Sequence, residues 1–164
     1  MTNQQNLAQN LNWSAAMRIP FLPLHPPRRS TTQSRALVSR AEARPIRVLL
    51  AEDDASIRHL LVDAMTADGF EVSAAANGVE ALDMFHEAGP WDVVLSDDEM
   101  PGLTGRQLLS RLRGEGAAVP ALILSGSLSL SAAEQIALGV GAVLSKPFRI
   151  REVLNALREA AAAA

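Results

Sequence analysis

Cysteine is absent from all 164 residues, which removes disulfide frameworks, thiolate metal sites and thiol nucleophiles together. Long apolar runs are missing too. Stretches such as Ala121 to Leu124 stop at once in Ser125 and Gly126, far short of the roughly 20 residues a membrane-spanning helix needs. The chain is therefore expected to be a cytoplasmic globular protein, with apolar content near one half, enough for one ordinary core. No internal repeat is present.

Acids are scarce at the start. Residues 1–45 carry Arg18, Arg28, Arg29, Arg35, Arg40 and Arg44 against Glu42 alone, a balance of +5 that leaves −8 for the remainder of a net −3. Pro20, Pro23, Pro26 and Pro27 deny this segment regular hydrogen bonding. Residues 1–44 are expected to be a disordered, basic, Pro-rich extension, followed by one domain over 45–164. A transit peptide, a nucleic-acid or membrane-surface arm and a partner-binding Pro-rich segment are its competing roles, and Met17 is an alternative start. No positive n-region precedes a continuous apolar stretch, as a secretory signal would require.

From Ile46 onward, strand and helix signals alternate. Strands are expected at Ile46–Ala51, Phe70–Ala74, Trp91–Leu95, Val119–Leu124 and Ala142–Leu144. Helices are expected at Ala55–Ala67, Gly78–Ala88, Gly105–Arg113, Ser131–Leu138 and Ile150–Ala160. The fourth helix has a poor start over Ser127 to Ser131 and is expected to be short or mobile. Five strands alternating with helices imply an α/β fold with a parallel sheet covered on both faces. Ligands of such sheets sit beyond the carboxyl ends of the strands.

The residues at those ends are chemically loaded. The first strand runs into Glu52-Asp53-Asp54, the third into Ser96-Asp97-Asp98-Glu99, the fourth into Ser125-Gly126 and the fifth into Ser145-Lys146-Pro147. If the first and third strands are neighbours, several carboxylates meet. Two like charges about 4 Å apart at an effective dielectric near 20 repel by roughly 4 kcal/mol. Such a group must raise its pKa values or take a counter-ion. Magnesium suits carboxylate oxygens with retained waters and a phosphate oxygen, whereas calcium wants more protein ligands from one loop.

Val48 to Arg58, Asp97-Asp98-Glu99-Met100-Pro101-Gly102-Leu103-Thr104-Gly105, Ser125-Gly126 and Ser145-Lys146-Pro147-Phe148 closely resemble the receiver domain of two-component response regulators. The resemblance covers about 120 residues, with the signature positions in order. It implies a flavodoxin-like doubly wound (βα)5 sheet of strand order 2-1-3-4-5. It also implies Asp97 as phosphoacceptor, and Mg2+ held by Glu52, Asp53, Asp97 and the Glu99 carbonyl. Ser125 would bond a phosphoryl oxygen and Lys146 would neutralise it; the Lys146–Pro147 peptide bond is often cis in relatives. A histidine kinase or phosphotransfer protein would dock near Ser56, Ile57, Leu60, Pro147 and Phe148, although Leu60 reads equally well as core. The switch position, usually aromatic, is Val143, which cannot swing a ring. Glu99 lies where relatives tune the lifetime of the acyl phosphate.

The resemblance further implies a stand-alone receiver without a DNA-binding domain. It would take phosphate from a phosphohistidine, lose it by self-catalysed hydrolysis, and signal by binding a downstream protein or passing phosphate on.

Plainer readings compete. Glu52 to Asp54 could simply cap a helix, Asp97 to Gly102 could be a solvated turn, and Lys146 a surface lysine. His25, His59 and His86 show no metal or catalytic pattern, and Trp91 reads as packing. A Mg-dependent phosphohydrolase would use an aspartate nucleophile with an acid two residues later, the offset of Glu99. A pseudo-receiver would bind partners without phosphorylation. A flavodoxin-like FMN carrier would need open backbone amides where the first turn here is acidic.

Overall fold

The computed structural model of the chain describes residues 44–127 and 130–163. The expected extension over residues 1–44 lies outside them apart from Arg44, which donates two 2.7 Å hydrogen bonds to the carboxylate of Asp92. Arg44 thus belongs with the domain rather than with the segment before it.

The described residues form β1 (Arg47–Ala51), α1 (Ala55–Ala67), β2 (Glu71–Ala75), α2 (Gly78–Ala88), β3 (Val93–Asp97), α3 (Gly105–Gly114), β4 (Ala121–Ser125), α4 (Ala132–Leu138), β5 (Val140–Ser145) and α5 (Ile150–Ala162). The strands make one sheet in the order β2-β1-β3-β4-β5, and every pairing is parallel. This is the flavodoxin-like doubly wound fold expected from the sequence.

Each helix has a physical start. The Asp54 carboxylate accepts from the amides of Ser56 and Ile57 at 2.8 and 3.0 Å, and Asn77 does the same for Val79 and Glu80 at 3.0 and 2.9 Å. Thr104 with Gln107 and Ser131 with Glu134 close reciprocal capping boxes. The exception is α5, which begins at Arg149 without a side-chain cap.

Alternation along the strands sorts the core into two halves. Leu49, Ala51, Val94 and Ile123 pack with Leu108, Leu109 and Leu112 of α3, while Val48, Leu50, Leu95 and Leu122 pack with Leu61, Met65, Val153 and Leu157 of α1 and α5. Truncating one of these fully buried leucines to alanine would cost about 2–5 kcal/mol. Helix α4 is different: it is seven residues long, buries none of them, and leaves Ile136 82% exposed. It is short, as expected.

Two strand boundaries moved in a way that matters. The third strand, expected at Trp91–Leu95, is Val93–Asp97, buried at every residue. Trp91 stays outside, with its indole N–H donated to Phe85 O at 3.2 Å and the Arg47 guanidinium over its ring. The fourth likewise runs on to Ser125. Polar residues at both ends are carried inside the sheet, a pattern that apolar periodicity does not register.

Helix α3 starts hard against the end of β3. A Cβ on Gly105 would stand 2.3 Å from Asp97 O and 2.9 Å from Ser96 Oγ, so only glycine permits the approach. The variant G105A is expected to lose roughly 1–3 kcal/mol by overpacking, read from denaturant unfolding against wild type. Unchanged stability would show that the α3 start yields freely.

Candidate functional site

Strand register builds the site. Ala51 pairs with Ser96, so the next residues, Glu52 and Asp97, emerge side by side at the same rim. Ser125 pairs with Ser145, and Lys146 N donates to Ser125 O at 2.8 Å, which brings the lysine to the rim two strands away. Its ammonium then reaches back. Lys146 Nζ donates to Asp97 Oδ2 at 2.8 Å and to Glu52 Oε2 at 3.1 Å, joining residues 49 and 94 positions apart.

Glu52, Asp53 and Asp97 each bring a carboxylate oxygen within 4.8 Å of the other two. Glu52 is fully buried and Asp97 nearly so, while Asp53 is exposed. Burial is the main reason the Glu52 carboxyl lies above its ordinary pKa; the neighbouring Asp97 charge adds to it, and Lys146 opposes both. For Lys146, burial is the largest single influence and pulls the pKa down. The hydrogen bonds and charges of Asp97 and Glu52 outweigh it, and the net shift is upward. The ammonium is therefore held charged.

Charge bookkeeping indicates what the group is suited to hold. Like charges at these separations repel by roughly 3–4 kcal/mol per pair at an effective dielectric near 20. One ammonium against three carboxylates leaves two negative charges, which a divalent ion would cancel. An all-oxygen donor set with an exposed third ligand and room for water fits a hard cation of the magnesium type.

The expected capping role belongs to Asp54 alone, whose pKa is lowered by the amides of Ile57 and Ser56. Arg58 holds the preceding turn, its guanidinium donating to Glu52 O at 2.8 Å and Asp53 O at 3.1 Å. Lys146 is not a free surface lysine, and the Lys146–Pro147 bond is cis. The Glu99 amide donates to Asp97 Oδ1 at 3.3 Å, while its exposed side chain lines a cavity of about 620 Å³ along residues 98–101.

Ser125 is buried at the rim, as its strand position requires, but its hydroxyl faces elsewhere. Oγ donates to Ser127 O at 2.6 Å, and Asp98 Oδ2 stands 3.5 Å away. Asp98 itself is buried and gripped by Arg106, whose Nε and Nη2 donate to its carboxylate at 2.8 to 3.1 Å. Sequence reasoning assigned neither residue a role. The pair joins a strand end to the first turn of α3 across a loop, and no local spacing rule announces such a contact. Of the histidines, His59 is exposed and His86 pairs with Glu115 at 2.7 Å on the surface; His25 lies outside the described residues.

The family model of the response regulator receiver domain matches residues 48–158. The chain belongs to that family.

Among curated relatives of this receiver domain, the response regulator MprA of Mycobacterium sp. (strain KMS) is 38% identical over 117 residues, covering 70% of this chain and 50% of the relative. The transcriptional regulatory protein TrcR of Mycobacterium tuberculosis is 31% identical over 133 residues, 80% of this chain and 51% of the relative. The chain thus spans about half the length of the curated relatives it matches. Among solved structures, the Francisella response regulator 1452 receiver domain superposes with a TM-score of 0.67 at 30% identity, covering 72% of this chain and 98% of that one. Vibrio cholerae chemotaxis protein CheY4 gives 0.65 at 31%, covering 71% and 98%. Membership places the receiver domain in two-component signalling, where the general partner is a histidine kinase. Among the described residues no helix is long and apolar enough to cross a membrane.

If the three carboxylates hold a divalent ion, Mg2+ at about ten times its Kd should stabilise the wild type by roughly 1.4 kcal/mol, a few degrees in Tm. Asp53→Asn should raise the metal-free Tm and abolish the Mg2+ increment. An equal Mg2+ increment in both proteins would rule out the cluster as the binding site.

Proposed function

We propose that this receiver domain takes a phosphoryl group from a phosphohistidine donor onto Asp97, loses it by self-catalysed hydrolysis, and signals by binding a partner or passing the phosphoryl group on. The observation that carries the reading is the Lys146 ammonium 2.8 Å from Asp97 Oδ2, at the edge of the three-carboxylate group. A carboxylate attacking phosphorus brings anions together, so catalysis here is positioning and charge neutralisation rather than proton transfer.

The Asp97 carboxylate oxygen forms the new P–O bond as the P–N bond to the donor imidazole breaks. Lys146 remains on the anionic side of the reaction, held by Glu52 when Asp97 turns toward phosphorus. Ser125 leaves Ser127 O and donates to a phosphoryl oxygen. Water then cleaves the mixed anhydride, releasing phosphate and restoring the carboxylate. Glu52, Asp53, Asp97 and the Glu99 carbonyl would hold Mg2+, which supplies electrostatic stabilisation of the phosphoryl oxygens when bound.

The donor helix would dock near Ser56, Ile57, Leu60, Pro147 and Phe148, across the start of α1 and the loop between β5 and α5. Ser56 and Pro147 are exposed, Leu60 is 54% exposed, and Ile57 and Phe148 are half-buried against the α1–α5 core. This supports a docking patch there and disfavours the alternative of Leu60 as core. At the switch position, Val143 is half-buried beneath an α4 that contributes no buried residue. Phosphorylation is therefore read as acting weakly or differently on the face of α4, β5 and α5. A cytoplasmic location follows from the same reading, since phosphohistidine donors act there.

Incubation with acetyl phosphate and Mg2+, followed by intact-mass measurement, should add one phosphoryl group to wild type and none to Asp97→Asn. Sustained hydrolysis of small phosphate esters would favour the phosphohydrolase reading, and no mass gain the pseudo-receiver. Amide exchange over α4, β5 and α5 should change little on phosphorylation. Strong new protection there would overturn the assignment given to Val143.

A further inference from the structure

The buried Asp98 carboxylate has no part in the reaction proposed above. It follows the phosphoacceptor directly, with its side chain 7% exposed, and adds another negative charge to a rim that must accept a phosphoryl group. Nothing in phosphoryl transfer calls for it.

Three observations define its setting. The close approach of Gly105 to Asp97 O, together with the Gly105 amide donated to Asp98 O at 3.1 Å, fixes the first turn of α3 against residues 97 and 98. Arg106, next in that turn, is thereby aimed at Asp98 and makes the forked contact that planar guanidinium allows with carboxylate. On its other side, Asp98 Oδ2 stands 3.5 Å from the hydroxyl that the reaction needs. Asp98, Arg106, Asp53, Glu99 and Ser127 share the walls of the 620 Å³ cavity. Asp53, which belongs to the three-carboxylate group with Asp97, is part of this lining, so a phosphodonor entering through the cavity would meet Asp98 and Arg106 together.

We infer that Arg106 is a positioning residue for phosphoryl transfer: by holding the Asp98 carboxylate against α3 it keeps that charge from opposing the incoming phosphoryl group and from capturing the Ser125 hydroxyl. The inference rests on Asp97 as phosphoacceptor. Without the guanidinium, Asp98 would be an uncompensated buried anion within reach of Ser125. It would draw that proton and raise the negative potential at the acceptor. The same added potential would favour a divalent cation. The two effects have opposite signs, which separates this role from simple loss of structure, since a disordered rim would weaken both.

The test uses the full chain and the variants R106Q, R106K, D98N and R106Q/D98N. Two quantities are read: Mg2+ affinity by calorimetry and the rate of labelling by acetyl phosphate at saturating Mg2+. R106Q should label at least about tenfold more slowly, from the loss of a charge-assisted pair beside the site, while binding Mg2+ as tightly as wild type or more so. R106K should recover most of the rate, and R106Q/D98N should label within about threefold of D98N, because the charge to be restrained is gone. The inference is overturned if R106Q labels like wild type, if its Mg2+ affinity falls along with its rate, or if the double variant stays as slow as R106Q. Should R106Q fail to fold, D98N and R106Q/D98N decide alone: a double variant much slower than D98N overturns the inference. If wild type itself takes no label, it is the Asp97 reading that fails.

Discussion

One ammonium group organises the rim of this domain. Lys146, delivered by the last strand, bridges Glu52 after the first and Asp97 at the end of the third, and without it three carboxylates would face one another with no cation among them. Burying a charge is tolerated only when it is paired and hydrogen-bonded. The parallel sheet makes that pairing possible by bringing the carboxyl ends of all its strands to one edge. Apolar strand interiors and acidic strand ends are thus parts of one arrangement, the first fixing the register that the second uses.

Much of this was legible in the sequence, for identifiable reasons. The expected bounds of α1 and α2 match those observed because their apolar faces repeat at helical spacing, and the structure adds Asp54 and Asn77 as their caps. Sheet order follows from the resemblance, and Lys146 Nζ bonds both Glu52 and Asp97 in the structure. The third strand was misplaced by two residues because Ser96 and Asp97 interrupt its apolar run, yet both are buried. Polarity does not mean exposure where a strand end is buried for chemistry, and Ser96 and Asp97 lie at the site. The Asp98–Arg106 pair was not legible at all, since it depends on how closely α3 abuts β3, a property of Gly105 and not of any charge pattern.

The departures from the family pattern cluster around what happens after chemistry. Ser125 is engaged with Ser127 O, Val143 stands where the resemblance implies an aromatic ring, and α4 buries none of its residues, Leu138 alone packing partly against the core. The acid and lysine positions that would perform the transfer are complete, while the elements that would report it are reduced. An element that buries none of its residues has few packing contacts that could differ between two states, and an equilibrium shifts only as far as such differences allow. Output through another surface, or onward transfer from Asp97, fits this distribution better than a large rearrangement of the α4 face.

The central claim is that Asp97 sits in a cation-dependent anion pocket completed by Lys146. It is tested most directly by 19F NMR of the protein with Mg2+ and beryllofluoride, a mimic of the phosphoryl group. The account predicts a bound fluoride signal in wild type that needs Mg2+, weakens in Lys146→Ala and vanishes in Asp97→Asn. A bound signal that survives in Asp97→Asn, or one indifferent to Mg2+, would contradict it.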